Sequence, residues 1–158
     1  MFAGVRPAFG FDREVEVIAS VVTGVRYSLP AAPRSLRYAG AIACALVILS
    51  ASVTEPGDGV PRTLFGIGFT VYLHLVAYAG FTGAIGYALL SADRRALVVA
   101  AGLATLYGAG IELLQGTVSY RTMAALDVGI NAVGAAVGAI LWRLTAPIFG
   151  ADRAEAPR

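Results

Sequence analysis

The sequence is poor in charged residues. Only 14% of its 158 residues are Asp, Glu, Lys or Arg, and 58% are hydrophobic, whereas soluble domains average about 25% charged and 45–50% apolar residues. This shortage of charge excludes an ordinary soluble domain and predicts a chain that lies in a bilayer. The length suits one domain, because about four helices of about 20 residues with short loops would nearly use it up.

Lysine is absent, so all 12 basic residues are arginine, and the net charge is only +2. The arginines lie at the ends of apolar segments rather than in one cluster, which argues against a nucleic-acid partner. The single cysteine, Cys44, lies in an apolar run, so an intrachain disulfide and a cysteine zinc site are both excluded. No nucleotide loop, catalytic serine motif or cofactor box appears outside the apolar segments. We therefore expect no cofactor and no soluble-enzyme chemistry.

Four long apolar segments predict an all-α fold, a polytopic membrane protein built as a four-transmembrane-helix bundle. The segments cover residues 38–53, 64–90, 96–115 and 124–146. We assign residues 37–146 to the membrane domain and residues 147–158 to a cytoplasmic tail. Residues 1–36 mix charge with a short apolar run. For them, three interpretations remain open: a disordered cytoplasmic tail, an interfacial helix, or residues added by an upstream start that lie outside the functional unit.

The arginine distribution predicts the orientation. Most arginines lie on the side of the N-terminal tail, the turn at residues 91–95 and the C-terminal tail, while Arg62 and Arg121 lie on the other side. Because cytoplasmic loops carry the excess of basic residues, this predicts an N-in/C-in, multi-pass protein of the cell membrane.

Polar residues are concentrated where the third apolar segment ends and the fourth begins. Glu112 and Gln115 are three apart and share a helix face, as do Asp127 and Asn131, which are four apart. Small residues continue both faces, which predicts closely packed helices that bring the four polar side chains together. The glycines expected to serve this helix packing are Gly108, Gly134 and Gly138.

The second apolar segment adds the only histidine, His74, with Tyr78 one turn later. In the predicted orientation the second and fourth helices run inward and the third runs outward. His74, Glu112 and Asp127 are therefore expected to converge in the outer half of the bilayer, with Arg121 in the connection above them.

This pattern resembles the VanZ-like family of small integral membrane proteins. The family pattern runs Glu-x-x-Gln, a short loop with Arg, Asp-x-x-x-Asn and a Gly-rich helix, and it includes a His-x-x-x-Tyr segment. The matching positions are Glu112, Gln115, Arg121, Asp127, Asn131, Gly134, Gly138, His74 and Tyr78. The resemblance covers residues 64–144. It implies a link to glycopeptide antibiotic resistance through the founding member, although the family has no securely established reaction.

One position pair departs from the family. Many relatives carry an Asp-Lys pair four and three positions before the histidine, and here Thr70 and Val71 stand there. If that pair takes part in chemistry or proton transfer, this protein is altered or inactive. If it only caps the helix, little changes.

Ionisable groups inside a membrane helix cost at least ~2.5 kcal/mol each, so function is the first hypothesis for them. We expect His74, Glu112 and Asp127 to be catalytic, through general acid–base chemistry on an envelope lipid or glycolipid headgroup. The residues expected to bind the substrate are Arg121, Gln115, Asn131 and Tyr78.

A second hypothesis is a non-catalytic scaffold or transporter-like module, in which these residues only hold the helices together. A divalent metal on the three ionisable groups is disfavoured, because the chain has one histidine and no ligand-spacing motif. We therefore expect no metal. Membrane lipids are the expected partners, and the sequence leaves the oligomeric state and the presence of any reaction open.

Overall fold

The structure, a computed structural model, describes residues 29–55, 63–119 and 124–151. Within these residues, four helices are long and apolar enough to cross a membrane. They are α1 (Arg34–Val53), α2 (Phe69–Leu89), α3 (Arg94–Gln115) and α4 (Ala125–Thr145), the last followed by a 3₁₀ turn (Ala146–Phe149). The predicted all-α fold with four membrane-length helices is confirmed, and the N-in/C-in orientation stays a prediction. The predicted tails fall largely on residues 1–28 and 152–158, outside the described residues.

The start of the second apolar segment is not helical, so the prediction of a helix from residue 64 is wrong. Thr63–Leu64 (β1) and Ile67–Gly68 (β2) pair as a two-stranded antiparallel hairpin. Its two central residues, Phe65 (φ 51°) and Gly66 (φ 79°), both have positive φ. Such a turn matches the twist of paired strands and is incompatible with a right-handed helix. The helix α2 therefore begins at Phe69.

The bundle is centred on α2, α3 and α4, and α1 lies at its edge. Helices α2 and α4 make the most extensive contact, followed by α3 with α4, while α1 packs mainly on α2. Of the α1 residues only Ile48 is buried. Long-range hydrogen bonds also tie α1 to α3; in one of them the Tyr107 hydroxyl donates to the Ala45 carbonyl at 2.6 Å.

Glycines allow the close approach of α4. A Cβ at Gly134 would lie 2.7 Å from the Leu75 carbonyl oxygen, and one at Gly138 would collide with the Ala79 carbonyl. Both neighbours belong to α2. The expectation that this glycine face packs on the third helix is therefore wrong, because α4 turns its glycines toward the α2 backbone.

Gly108 of α3 lies close to both α2 and α4. A Cβ there would lie 2.8 Å from Asn131 Nδ2 and 2.9 Å from Tyr78 Cε1. The absence of a side chain at this one position lets α3 lie against polar side chains of both α2 and α4.

Aromatic and basic side chains close one end of the bundle, which we call the aromatic end. Tyr87, Trp142 and Phe149 contact one another there, with ring centroids 5.2–6.0 Å apart. Trp142 Nε1 donates to the Ser91 carbonyl at 2.8 Å. Arg37 donates to the carbonyls of Tyr87 and Ala88 at 3.0 and 2.8 Å. These bonds supply donors to carbonyl groups at the end of α2 and in the turn that follows it.

Candidate functional site

The polar residues predicted from the sequence meet at the opposite end of the bundle, which we call the polar end. It lies where α2 begins, α3 ends and α4 begins. His74 lies in the second turn of α2, Glu112 and Gln115 in the last turn of α3, and Asp127 and Asn131 in the first two turns of α4. Because antiparallel neighbours alternate in direction, these separate stretches of chain come together at one level of the bundle.

Three ionisable side chains from three helices form the centre of the polar end. A ring nitrogen of His74 and one carboxylate oxygen each of Glu112 and Asp127 all lie within 4.8 Å of one another. We call these residues the ionisable trio. Glu112 is 1% exposed, whereas His74 and Asp127 are half-buried. The trio is therefore closed to solvent at Glu112, and a molecule from outside the bundle can reach it at His74 and Asp127.

Asn131 holds the histidine ring in place. His74 Nδ1 and Asn131 Oδ1 are 2.7 Å apart. An amide oxygen only accepts hydrogen bonds, so this contact assigns a proton to Nδ1, and in the neutral ring the lone pair is then on Nε2. The ring also stacks on Tyr78, with centroids 6.2 Å apart and planes 15° from parallel. Asn131 is fully buried and Tyr78 is 2% exposed, so both supports are packed inside the bundle.

Glu112 uses only one of its two carboxylate oxygens. Oε2 accepts a hydrogen bond from the backbone nitrogen of Ala124 at 3.2 Å, which ties the end of α3 to the start of α4. Oε1 is buried and has no hydrogen-bond partner among the residues described. The Nδ2 of Asn131 is likewise buried and unpaired within that part of the chain. Buried polar atoms nearly always find partners, so such exceptions require an explanation.

Gln115 bonds to α1. Its Nε2 donates to the Ser52 carbonyl at 3.1 Å, so the amide joins α3 to the end of α1. The structure thus places this predicted substrate-binding residue at a helix contact. Arg121, the other predicted substrate-binding residue near this end, lies outside the described residues.

Two backbone groups of the polar end could not be predicted from the sequence. The Ala124 N–H binds Glu112, and the Ser52 carbonyl accepts from Gln115. Every residue except proline offers the same backbone groups. Residue type therefore does not reveal which of them takes part in a site.

A cavity of about 400 Å³ lies between α2 and α4, away from the polar end. Its lining runs from Ala79 to Tyr87 on α2 and from Gly138 to Phe149. This lining is mostly apolar and aromatic and includes no member of the ionisable trio. Chemistry that needs a proton donor or an anion is therefore assigned to the polar end and not to this cavity.

A comparison with models of protein families matches residues 46–146 to the family described as VanZ/LLP1. The matched range contains every residue of the polar end and all of α2, α3 and α4. Neither the curated proteins nor the solved structures give a match.

Proposed function

The chain belongs to the VanZ/LLP1 family, and from that premise we propose that its polar end binds and acts on the headgroup of a cell-envelope lipid or glycolipid. The observation that carries this proposal is the ionisable trio. Its groups come from three separate helices, lie within 4.8 Å of one another, and include a buried carboxylate oxygen that has no partner in the part of the chain that the structure describes. Ionisable groups inside a membrane protein are costly, so a function is the first explanation for their presence there.

The depth of the polar end suits a headgroup. Helix α3 has 22 residues, which is roughly 33 Å at ~1.5 Å per residue and close to the ~30 Å thickness of the hydrocarbon layer. Glu112 in its last turn therefore lies near the hydrocarbon boundary. A headgroup reaches the half-buried His74 and Asp127 without entering the hydrocarbon.

The geometry suggests distinct roles for the members of the site. His74, whose Nε2 carries the free lone pair, accepts a proton from the substrate, and the Glu112–Asp127 pair stabilises the resulting imidazolium. Asn131 orients His74 through the Nδ1 bond. Arg121 lies in sequence between α3 and α4, and we assign it the binding of an anionic headgroup oxygen, for which the guanidinium fork is suited.

The consequence for the cell is that the headgroup chemistry blunts glycopeptide antibiotics, as the family resemblance implies. In the predicted orientation the polar end faces the outer leaflet, where those antibiotics meet the envelope. Expression of the wild-type chain is expected to lower susceptibility, and Glu112→Gln is expected to abolish that effect.

A second function, that of a scaffold, is favoured by two of the bonds. The Gln115–Ser52 and His74–Asn131 contacts join helices in pairs, as polar groups in membrane bundles often do. In a scaffold the same residues hold the bundle together, so replacing them lowers stability and activity in parallel.

The experiment compares lipid binding with stability. The full chain is purified in mild detergent, and its bound lipids are identified by native mass spectrometry for the wild type, Glu112→Gln, Asp127→Asn and Arg121→Ala. Arg62→Ala is the matched control, because Arg62 lies on the same predicted side. We expect one headgroup class on the wild type and the control, and its loss from Arg121→Ala with an unchanged melting temperature. Indiscriminate lipid binding, or stability lost together with binding, would favour the scaffold.

A further inference from the structure

We propose that the ionisable trio binds a divalent metal ion of the zinc–manganese class, with His74 Nε2 and one carboxylate oxygen each from Glu112 and Asp127 as ligands. The inference rests on the proposed function of the polar end as a binding site, which it deepens by naming the ion that holds the headgroup. A nitrogen that binds an ion accepts no proton, so in the metal-loaded site His74 is a ligand and not the base. Sequence spacing predicts no metal, because the three residues are far apart in the chain. Only the bundle brings them together.

The distances fit one ion. Ligand atoms at about 2.1 Å from a tetrahedral Zn²⁺ are roughly 3.4 Å apart. A ring nitrogen of His74 and one carboxylate oxygen each of Glu112 and Asp127 lie within 4.8 Å of one another, and Nε2 is the nitrogen that the Asn131 contact leaves free. We expect rotation of the two carboxylate side chains to close the difference of roughly 1.4 Å, while Asn131 keeps the His74 ring in place.

The histidine already has the environment of a metal ligand. Metal-bound histidines almost always donate the second ring N–H to an oxygen acceptor, which fixes the tautomer and the ring plane. The 2.7 Å contact with Asn131 Oδ1 does this for Nδ1 of His74. Because Asn131 is fully buried, the ring is held with its Nε2 lone pair available for an ion.

The second, independent observation is the free oxygen of Glu112. The residue is 1% exposed and its Oε1 has no hydrogen-bond partner within residues 29–55, 63–119 and 124–151. A second carboxylate, that of Asp127, lies within 4.8 Å. Two carboxylates that share a poorly solvated site repel each other unless a positive charge lies between them. A divalent cation bound to both balances their charge and uses the oxygen that is otherwise unpaired.

The donor set selects the kind of ion. One imidazole nitrogen and two carboxylate oxygens suit Zn²⁺, Mn²⁺ or Fe²⁺, whereas Mg²⁺ and Ca²⁺ prefer oxygen ligands alone. Three protein ligands leave at least one coordination position open, as in catalytic metal sites. That open position is on the half-buried side formed by His74 and Asp127, where an anionic headgroup oxygen arrives.

The test measures the ion directly. The full chain is purified in detergent with a tag that contains no histidine, stripped with a chelator, and titrated with Co²⁺ as a spectroscopic substitute for Zn²⁺. The stripped protein is then reloaded with Zn²⁺ or Mn²⁺, and its metal content is measured by elemental analysis. We expect roughly one ion per chain and a Co²⁺ absorption band typical of low coordination number. In Glu112→Gln, Asp127→Asn and His74→Gln we expect at least a ~10-fold loss of affinity, since even supporting residues around a metal contribute that much.

The controls separate a bound ion from a folding effect. Glu55→Gln makes the same change at an exposed carboxylate outside the trio, and its affinity is expected to equal the wild type. Asn131→Ala is expected to weaken binding about 10- to 100-fold, while Asn131→Asp, which keeps an acceptor for Nδ1, retains it. Circular dichroism and gel filtration verify that each variant is folded.

Three results would overturn the inference. One is a wild-type chain that binds no more metal than Glu112→Gln. Another is metal binding by Arg121→Ala but not by the wild type, which would make Arg121 the counter-charge. The third is headgroup selectivity that survives in the chelator-stripped protein, which leaves the proposed function standing without the metal. Conversely, a stoichiometric ion without any selected lipid would retain the metal site and remove the headgroup function.

Discussion

The two ends of the bundle use their polar side chains in different ways. At the aromatic end, Arg37 and Trp142 each donate to a backbone carbonyl at 2.8–3.0 Å. Arg143 does the same to the Ala92 carbonyl at 3.3 Å. Each of these donors finds an acceptor that a helix end or turn leaves open. The polar side chains of the aromatic end therefore serve to hold the chain segments together.

At the polar end, the bonding is incomplete. Glu112 Oε1 and Asn131 Nδ2 are buried without a partner in the described part of the chain. Both atoms belong to residues whose other polar atom is well bonded. One end of the bundle thus satisfies its polar groups and the other leaves some available. Thr82 Oγ1 is also buried without a partner among the described residues, but it lies outside the ionisable trio. Unpaired buried atoms therefore indicate a site where they accompany ionisable groups from several helices.

The largest expected loss of stability comes from disrupting the contact between α2 and α4, which both ends of the bundle share. Gly138→Leu places a side chain against the Ala79 backbone, and a backbone carbonyl cannot rotate away. We expect a loss of about 3 kcal/mol or more, at or beyond the upper range of overpacking costs. Thermal unfolding in detergent measures it.

Gly102→Leu is the matched control for this change. It replaces a glycine of α3 whose Cβ would meet nothing within 4 Å, and leucine favours a helix over glycine by up to ~1 kcal/mol. Equal melting temperatures for the two variants would contradict the close α2–α4 approach.

The next effect tests the aromatic end. Trp142→Ala removes a buried ring that contacts Tyr87 and Phe149, and we expect a loss of about 3–5 kcal/mol. Trp142→Phe keeps an aromatic ring but removes the bond to Ser91, so its expected cost is nearer ~1 kcal/mol. The two variants are compared by chemical unfolding in detergent. If both cost the same, the indole bond and not the ring packing dominates this end.

A paired substitution tests the comparison most directly. Arg37→Gln removes the side-chain donor of the Ala88 carbonyl and leaves the Tyr87 carbonyl with the Leu90 N–H, and we expect it to cost about 1–3 kcal/mol. Glu112→Gln keeps an oxygen that accepts from Ala124 and removes a charge beside Asp127. It is expected to leave stability unchanged or raise it by about 1 kcal/mol or more, while headgroup binding is lost. A stabilising role for the Glu112 carboxylate would appear as a lower melting temperature in this variant.

The smallest effect concerns the cap of α3 at the aromatic end. Asp93 accepts from Ala96 N at 2.8 Å and from the Ser91 hydroxyl at 2.8 Å, and these bonds, with a small contribution from Arg95, hold the pKa of Asp93 below its usual value. Because the folded pKa lies below the unfolded one, the cap stabilises the chain above the usual aspartate value of about 3.9 and is lost as pH falls below it.

Asp93→Asn removes the titrating group but keeps a side chain that caps helices well. We expect a slightly lower melting temperature than the wild type at neutral pH, and a difference that shrinks between about pH 5 and pH 3. A difference between wild type and Asp93→Asn that does not change over this range would show that the cap is independent of the charge. The measurement is the melting temperature as a function of pH, monitored by circular dichroism.

The predicted helices depended on features that a sequence displays directly. Runs such as residues 96–115 are apolar for long enough to span a bilayer, and Asp93 precedes α3 as a capping residue. The hairpin before α2 was missed because residues 64–68 are as apolar as the helix that follows. Only the positive φ at Phe65 and Gly66 separates the two. Hydropathy does not report backbone dihedral angles.

The candidate site was predicted in part. Spacing of three and four residues identified the faces that carry Glu112 and Asp127, since such neighbours always share a helix surface. The same spacing does not tell which helix each face meets. In the structure Gly134 and Gly138 pack on α2, and Gln115 bonds to α1 rather than to the trio.

The sequence by itself determined the membrane class, the number of spans and the polar faces, because these depend on composition and on periodicity along one helix. The tertiary structure alone decided that α4 packs its glycines on α2. It alone decided that His74, Glu112 and Asp127 come within 4.8 Å of one another and that one buried oxygen of Glu112 has no partner among the described residues. The physical reason is that distances between helices depend on the fit of side chains from different segments, and no property of a single segment contains that fit.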